Sequence, residues 1–249
     1  ITKYGVKKKN EDWFIDKKGK VYTWGSNSYG QLGNGSETTT YTSVPICISE
    51  VEDSPLKGKN IVDIYGSSTM IARDSDGKLY SWGYNKYGEL GNGTTANSSM
   101  PICISHIENS TLKGKNIVDV HNYGSTMIAK DSNGKLYSWG YNYGRLGNGT
   151  TDDSSMPICI SDIEGSTLKG KNIVDVYYNT YKMIAKDSNG KLYSWGDNDY
   201  GQLGDGTTTD SSMPICISDI ENSPLREKNI IDVYGGFTVI AKDSSGKLY

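Results

Sequence analysis

The stretch DSNGKLYSWG occupies residues 131–140 of this chain of 249 residues. Its Asn-Gly pair is typical of a tight hairpin turn, because glycine adopts a positive φ without a Cβ clash. After the turn, Leu136 and Ser138 are expected to face one side of the chain. Tyr137 and Trp139 then face the other side, and this period of two residues predicts a β-strand. The stretch therefore predicts a tight turn that leads into a strand ending in Trp-Gly.

The same stretch returns along the chain with small changes. It reads DKKGKVYTWG, DSDGKLYSWG, again DSNGKLYSWG, and finally DSSGKLY, at residues 16–25, 74–83, 187–196 and 243–249. The tryptophans Trp24, Trp82, Trp139 and Trp195 are separated by 58, 57 and 56 residues. A period in this range predicts a solenoid, a propeller or a related array.

Each period contains four short runs that resemble strands. In one copy they are NIVDVYY, KMIAKD, KLYSWG and MPICIS, at residues 172–178, 182–187, 191–196 and 213–218. No segment shows a sustained apolar period of 3.6 residues, so we expect few helices. Four short strands joined by glycine-rich turns are typical of a propeller blade.

A glycine-rich loop follows each Trp-Gly pair and is the most specific motif of the chain. It reads GSNSYGQLGNG, GYNKYGELGNG, GYNYGRLGNG and GDNDYGQLGDG, at residues 25–35, 83–93, 140–149 and 196–206. These loops resemble the RCC1 repeat family, in which Trp-Gly-x-Asn-x-x-Gly-Gln-Leu-Gly-x-Gly precedes a strand led by proline. The resemblance covers nearly the whole chain. It implies an all-β propeller of antiparallel four-stranded blades around a central axis.

The strand count predicts one RCC1-like propeller domain over residues 1–249, with four complete four-stranded blades and a partial fifth. The units are expected at about 1–59, 60–115, 116–171 and 172–228, with the partial unit at 229–249, and residues 1–19 are expected to form a degenerate first pair of strands. The family usually closes with seven blades, whereas propellers in general have four to eight. Three architectures remain open: part of a seven-bladed ring, a closed five-bladed ring, and a larger ring completed by a second copy. Open blade edges would favour self-association.

Composition argues against several functional classes. The net charge is −3, and a nucleic-acid surface would show a basic patch or stripe. No run of about eighteen apolar residues predicts a membrane span. The two histidines, His106 and His121, lie in different units, and no Ser-His-Asp set, Cys-His set or phosphate-binding motif can be assembled. We therefore expect a protein that is not an enzyme, with no catalytic residues, metal ligands or cofactor. The sequence opens without a signal-peptide pattern or an initiator Met, which is consistent with a processed or excised chain.

Several residues are constant among the copies and are expected to be structural. The cysteines of the Pro-Ile-Cys-Ile-Ser segment should lie too far apart for disulfides if their strand is outermost, as the resemblance implies, and they lack zinc-site spacing. If the first strand is innermost, as the resemblance implies, its aspartates could ring the central channel and hold a cation, but a channel lining or a hydrogen-bonded structural role is the favoured interpretation. The loop tyrosines are expected to be structural as well. These residues are Cys47, Cys103, Cys159 and Cys216; Asp63, Asp119, Asp175 and Asp232; and Tyr29, Tyr87, Tyr143 and Tyr200.

Differences among the copies are concentrated in two places. The turn between the first and second strands reads YGSST, HNYGST, YYNTYK and YGGFT, at residues 65–69, 121–126, 177–182 and 234–238. The glycine-rich loop begins with a variable slot held by Ser26, Tyr84, Tyr141 and Asp197. The Asn-Gly turn and the connection between units hardly vary.

Antiparallel geometry places these two variable segments at the same end of each blade. We call this end the variable face, and the end with the Asn-Gly turns and unit connections the uniform face. Drift after duplication has no reason to select one face, so the pattern predicts a contact surface. Tyrosine supplies stiff amphipathic area, and Ser, Gly and Asn supply adaptable hydrogen bonds. The predicted contact residues are Tyr65, Tyr84, His121, Asn122, Tyr123, Tyr141, Tyr177, Tyr178, Asn179, Tyr181, Asp197 and Phe237.

These observations predict a non-catalytic scaffold that binds a protein partner through the Tyr-rich variable face. The namesake of the family is an exchange factor for a small GTPase, but this chain has no comparable inserted wedge, and no basic tail beyond Lys7–Lys9. Another family member, a secreted bacterial inhibitor of β-lactamases, presents loops on one face of its propeller. The alternative is a glycan-binding, lectin-like propeller, which should repeat its pocket residues in every blade. The variable positions differ from blade to blade, and this favours a protein partner.

Overall fold

The computed structural model describes residues 12–37, 40–179, 181–235 and 238–249, except for the side chain of Asn179. These residues form five antiparallel sheets, with one short 3₁₀ turn at Ile104–His106. In chain order the strands are β1 (Trp13–Ile15), β2 (Val21–Ser26), β3 (Tyr41–Cys47), β4 (Ile61–Gly66), β5 (Thr69–Asp74), β6 (Leu79–Gly83), β7 (Ser98–Cys103), β8 (Ile117–Tyr123), β9 (Thr126–Asp131), β10 (Leu136–Gly140), β11 (Ser154–Cys159), β12 (Ile173–Asn179), β13 (Lys182–Asp187), β14 (Leu192–Gly196), β15 (Ser211–Cys216), β16 (Ile230–Gly235) and β17 (Val239–Asp243).

The sheets follow the chain one after another. Units 2, 3 and 4 are the four-stranded sheets β4–β7, β8–β11 and β12–β15, in which each strand pairs with the next one along the chain. Unit 1 contributes β1–β3, and the inner strand expected near the start of the chain lies outside the described residues. Unit 5 contributes β16 and β17, with a single bridge from Lys242 to Leu248. The predicted up-and-down blade is confirmed in the three complete units.

The fourth strand differs from the prediction by two residues. The sequence placed it at 213–218, whereas β15 runs Ser211–Cys216 and pairs Ser211 with Gly196. Pro214 lacks an N–H, which is tolerated because β15 is the last strand of its sheet. The register shifts between the pairs at Ser194 and Gly196, so the strand gains residues before the proline.

The aspartate that opens the repeated stretch organises the turn. In unit 3, Asp131 Oδ1 accepts the N–H groups of Asn133 and Lys135, each at 2.9 Å. Asp131 Oδ2 accepts the Tyr137 hydroxyl, also at 2.9 Å. One carboxylate therefore closes the turn and fixes the next strand, which explains why Asp and Tyr recur six residues apart.

The third strand of each complete unit is buried along its whole length. In unit 3, Leu136 packs into the core shared with unit 4, whereas Tyr137 and Trp139 pack into the core shared with unit 2. The predicted alternation is confirmed, and both sides are buried because each sheet lies between two others. Ser138 is buried too, and its hydroxyl donates to the Leu146 carbonyl at 2.6 Å.

The Trp-Gly motif and the glycine-rich loop connect neighbouring units. Trp139 is fully buried, and its Nε1 donates to the Glu89 carbonyl in the loop of unit 2 at 2.8 Å. A Cβ on Gly91 of that loop would lie 2.8 Å from the same indole nitrogen. Trp82 and Trp195 make the equivalent hydrogen bonds to the preceding loops, at 2.9 and 2.8 Å. The motif is constant because it forms the contact between units.

Backbone hydrogen bonds also join the units on the uniform face. The Ile117 N–H of unit 3 donates to the Gly77 carbonyl of unit 2 at 3.1 Å, and Ile173 donates to Gly134 in the same way at 3.0 Å. The constancy of the uniform face therefore has a structural cause.

The constant cysteines and aspartates have structural contacts. Each cysteine ends an outer strand, is half-buried and is free. Asp63 pairs with Arg73, Asp119 pairs with His121 at 3.1 Å, and Asp175 pairs with Lys186 at 2.8 Å. The hydrogen-bonded structural role is confirmed for these three aspartates.

No helix in the described part of the chain is long and apolar enough to cross a lipid bilayer.

Candidate functional site

The two variable segments of each complete unit are in direct contact. The backbone N–H groups of Tyr84, Tyr141 and Asp197 donate to the carbonyls of Ser68, Ser125 and Tyr181, at 3.0, 2.8 and 3.0 Å. The first turn and the start of the glycine-rich loop thus lie at the same end of the blade. The predicted geometry of the variable face is confirmed.

A row of four neighbouring aromatic rings, three of them stacked, crosses the variable face from unit 2 to unit 4. The Tyr65 ring lies 6.0 Å from His121, and His121 stacks on Tyr123 at 5.4 Å. Tyr123 stacks in turn on Tyr178 of unit 4, with centroids 4.0 Å apart. Burial raises the pKa of both Tyr123 and Tyr178 above the usual value for tyrosine, so both phenols are protonated at neutral pH. The row is held by contacts between units and has little freedom to reorganise.

The remaining predicted contact residues have different environments. Asn122 Nδ2 donates to the Thr69 carbonyl of unit 2 at 2.9 Å, so this side chain also joins units. The Asp197 carboxylate accepts a hydrogen bond from Gln202. Tyr177 is half-buried between units 4 and 5. Phe237 and the side chain of Asn179 lie outside the described residues.

Three of the four constant loop tyrosines are exposed, and the expectation that they are structural was wrong for these three. Tyr87 is half-buried and packs edge-on against Tyr141 of the next unit at 5.0 Å. Tyr29, Tyr143 and Tyr200 are 42%, 61% and 86% exposed. In unit 1 the loop contacts the backbone of Tyr29, whose N–H donates to Gln31 Oε1 at 2.8 Å. The rings project outwards, where Tyr29 packs edge-on against Tyr84 at 4.9 Å. These tyrosines belong to the variable face, although their identity does not vary.

A second set of residues on this face was missed because only the start of each loop was compared. The slot two residues after the loop tyrosine holds Gln31, Glu89, Arg145 and Gln202. Gln31, Glu89 and Gln202 each accept the tyrosine N–H at 2.8 Å. Arginine has no acceptor atom. The loop of unit 3 is one residue shorter, and Tyr143 adopts a φ of +45° there.

The guanidinium of Arg145 lies beside tyrosine rings of two units. Its guanidinium carbon lies 5.8 Å from the Tyr141 ring, 5.9 Å from Tyr143 and 5.7 Å from Tyr181 of unit 4. These distances are within the range of cation–π attraction. The unlike residues at this slot were the sequence signal for the cluster, and we call Arg145 with Tyr141, Tyr143 and Tyr181 the arginine cluster.

Lys182 is the other residue that sequence reasoning missed. Its slot holds Thr69 and Thr126 in units 2 and 3, and both hydroxyls donate to loop carbonyls. Lys182 is buried, and its Nζ donates to the Gln202 carbonyl at 2.7 Å. Burial lowers the pKa of Lys182 to about 8, which leaves the amine mostly protonated at pH 7. Beside it lies a cavity of about 130 Å³ lined by Tyr177, Tyr178 and Tyr234.

Replacing Glu89 with Gln is expected to stabilise the protein near neutral pH. Glu89 is fully buried, and its Oε1 has no hydrogen-bond partner among the described residues. Burial raises the pKa of this carboxyl above its usual value. In the unfolded chain the Glu89 carboxyl has an ordinary pKa of about 4.3. Below that pH the protonated carboxyl does not destabilise the fold, and as the pH rises through the raised pKa of the folded state the buried carboxylate lowers the free energy of unfolding. We expect Glu89→Gln to raise the free energy of unfolding by about 1–2 kcal/mol at pH 7 and to have little effect at pH 4.

Urea denaturation at both pH values measures this difference. The matched control is Gln31→Glu, which places a carboxylate in the same slot of unit 1 and should destabilise at pH 7. A loss of stability in Glu89→Gln at pH 7 would show that the carboxylate makes a favourable interaction instead.

Comparisons with known proteins agree with the fold. The family model described as "Regulator of chromosome condensation (RCC1) repeat" matches residues 18–70, 76–121, 133–178 and 189–238. The ultraviolet-B receptor UVR8 of Arabidopsis thaliana is 31% identical over 233 residues, which are 92% of this chain and 48% of that protein. The human E3 ubiquitin-protein ligase HERC2 is 30% identical over 211 residues, which are 83% of this chain and 4% of that protein.

Solved structures show the same architecture. Human WBSCR16 superposes with a TM-score of 0.66 at 24% identity, over 93% of this chain and 56% of that one. Prp20p of Saccharomyces cerevisiae gives a TM-score of 0.66 at 21% identity, over 97% of this chain and 56% of that one. The chain thus spans little more than half, or less, of each of these proteins. Its repeats, blades and loop motif place it in one family: the chain belongs to the RCC1 repeat family and has the fold of an RCC1-like β-propeller.

Proposed function

We propose that this chain is a non-catalytic interaction module that binds a protein partner through its variable face. The observation that carries the proposal is the outward projection of a tyrosine from the loops of units 1, 3 and 4, at Tyr29, Tyr143 and Tyr200. Packing gives no reason to keep a large aromatic ring at a position that is 61% exposed beside a complete neighbouring unit, as Tyr143 is. Burial against another molecule gives such a reason.

The chemistry of the face supports the same function. Tyrosine and arginine are the residues most enriched at the energetic centres of protein interfaces. Here the charge of Arg145 acts on the phenol of Tyr178, so the arginine cluster lies near the row of Tyr65, His121, Tyr123 and Tyr178. The row is fixed by contacts between units, so little conformational entropy is lost on binding.

The side chains on the variable face differ from unit to unit. This difference supports a single macromolecular partner over a small ligand bound once in each unit. His121, Arg145 and Lys182 each occur once at their slots. A glycan site repeated for avidity would need the same side chains in each unit. The activities named for UVR8 and HERC2 belong to those proteins, and this chain matches only 48% and 4% of their lengths.

Selection from a phage-displayed library of random 12-residue peptides tests the proposal. We expect peptides selected on the parent chain to lose binding when Tyr29, Tyr143 and Tyr200 are changed to Ala together. These rings are exposed, so the changes should leave the melting temperature nearly unaltered. The matched control changes Lys57, Lys113 and Lys169, which are exposed and equivalent on the uniform face, to Ala.

The outcomes separate the two faces and the two ligand classes. Peptides that depend on the three tyrosines and tolerate the lysine changes would support the proposal. Peptides that bind the tyrosine variant as well as the parent would contradict it. Binding to a glycan array, with no peptide selected, would favour a lectin instead.

A further inference from the structure

We propose that the arginine cluster is the docking point for an aspartate or glutamate side chain in an acidic segment of the protein partner. The inference rests on the proposed function and names the chemistry of the partner at one position of the variable face. It concerns Arg145, which lies between units 3 and 4 with the rings of Tyr141, Tyr143 and Tyr181 around it.

The charge of Arg145 is not neutralised within the described part of the chain. Seven ion pairs form among these residues, and Arg145 takes part in none of them. Its Nε is buried and has no hydrogen-bond partner among the described residues. A guanidinium carries five N–H donors in a planar fork that matches a carboxylate. Arg145 therefore carries a positive charge with no carboxylate partner among the described residues, on a side chain whose fork suits one.

The lysine that follows the cluster in the chain is buried and is not part of the docking point. Lys182 directly follows Tyr181, whose ring is one of the three around the guanidinium. Its amine is buried under the loop of unit 4, where Nζ donates to the Gln202 carbonyl. Asp197 lies at the same end of unit 4, and its carboxylate is engaged by Gln202. An incoming carboxylate would thus meet the Arg145 guanidinium among tyrosine rings, in a partly desolvated setting where attraction is stronger than at an open surface.

The aromatic rings favour a peptide as the carrier of this carboxylate. Three tyrosine rings lie 5.7–5.9 Å from the guanidinium carbon and lower its contact with water. The neighbouring rings of Tyr123 and Tyr178 extend the apolar surface beside it. A peptide with an acidic residue flanked by apolar or aromatic residues can fill both parts at once.

Units 1, 2 and 4 cannot offer the same site. The equivalent slot holds Gln31 and Gln202 in units 1 and 4, and these amides accept the tyrosine N–H of their own loops. Unit 2 has Glu89 there, which would repel an acidic residue when ionised. The single arginine therefore fixes where along the face an acidic segment binds.

The same peptide library tests the inference through composition and through one substitution. We expect the peptides that depend on the variable face to be enriched in Asp and Glu next to apolar residues. Arg145→Gln installs the side chain found in units 1 and 4, and should weaken binding of a synthetic copy of the best peptide by about tenfold or more. Arg145→Lys keeps the charge without the planar fork and should lose part of the affinity. Lys169→Gln removes the same charge from the uniform face and should have no effect.

Binding of the synthetic peptide is measured by isothermal titration calorimetry, with the melting temperature of each variant as a check on folding. Selected peptides without acidic enrichment would overturn the inference. Acidic peptides that bind the Arg145→Gln variant as tightly as the parent chain would also overturn it. A best peptide that gains affinity only when its tyrosine or serine is phosphorylated would overturn it as well. If no selected peptide depends on Tyr29, Tyr143 and Tyr200, the proposed function itself fails.

Discussion

Replacing Trp139 with Ala is expected to lower the free energy of unfolding by about 3–5 kcal/mol. The indole fills the core between units 2 and 3 and is fully buried. Its removal leaves a cavity and deprives the Glu89 carbonyl of the Nε1 hydrogen bond that joins the two units. Because each unit packs only on its neighbours, the loss should separate unfolding of the first two units from that of the rest.

Trp24→Ala is the matched control for this prediction. Trp24 occupies the same position of the repeat but is only partly buried. We expect a loss of roughly 1–2 kcal/mol, in proportion to the smaller apolar area that it removes from water. Guanidinium denaturation followed by circular dichroism measures both variants. Equal losses in the two variants would mean that the contact between units contributes nothing beyond the area of the ring.

Replacing Gly88 with Ala is expected to be nearly as damaging, although it adds a single methyl group. Gly88 has a φ of +83°, which costs an L-residue about 1–2 kcal/mol. A Cβ there would overlap the Cα of Ser155 in the next unit and lie 2.8 Å from its backbone nitrogen. Both atoms belong to the backbone and cannot rotate away, so we expect a further ~1–3 kcal/mol of destabilisation.

Gly144→Ala separates these two costs. Gly144 is the equivalent glycine in the shortened loop of unit 3, with a φ of +79°, and a Cβ added there would have no neighbouring atom within 4 Å among the described residues. We expect Gly144→Ala to show the backbone cost alone. Thermal unfolding of the two variants gives the difference directly. A Gly144→Ala variant as unstable as Gly88→Ala would show that the positive φ, and not the approach of the next unit, requires glycine in this loop.

The architecture could be predicted from the sequence because its signals are local and repeated. The run KLYSWG at 191–196 corresponds to the strand Leu192–Gly196, and KMIAKD at 182–187 to Lys182–Asp187. Each signal needed only neighbouring residues: a turn, an alternation and a glycine. The fourth strand was placed two residues late because its start depends on a register shift against the third strand.

The sequence predicted which end of the blades carries the candidate site, but it did not predict all of the side chains that form it. Comparing copies located the variable face, since antiparallel strands bring alternate connections to the same end. Three loop tyrosines were misassigned because constancy was equated with burial, whereas Tyr143 is 61% exposed. Arg145 and Lys182 were missed because their importance depends on neighbours in another unit.

The sequence by itself determined the repeat, the turn, the strands and the face on which the copies differ, because all of these follow from spacing along the chain. The tertiary structure alone decided which constant residues join the units and which project into solvent. It also decided that Arg145 lies beside Tyr181. The physical reason is that residues distant in the chain become neighbours only when one sheet packs on the next, and the rotation between sheets is set by side-chain packing that the repeat pattern does not encode.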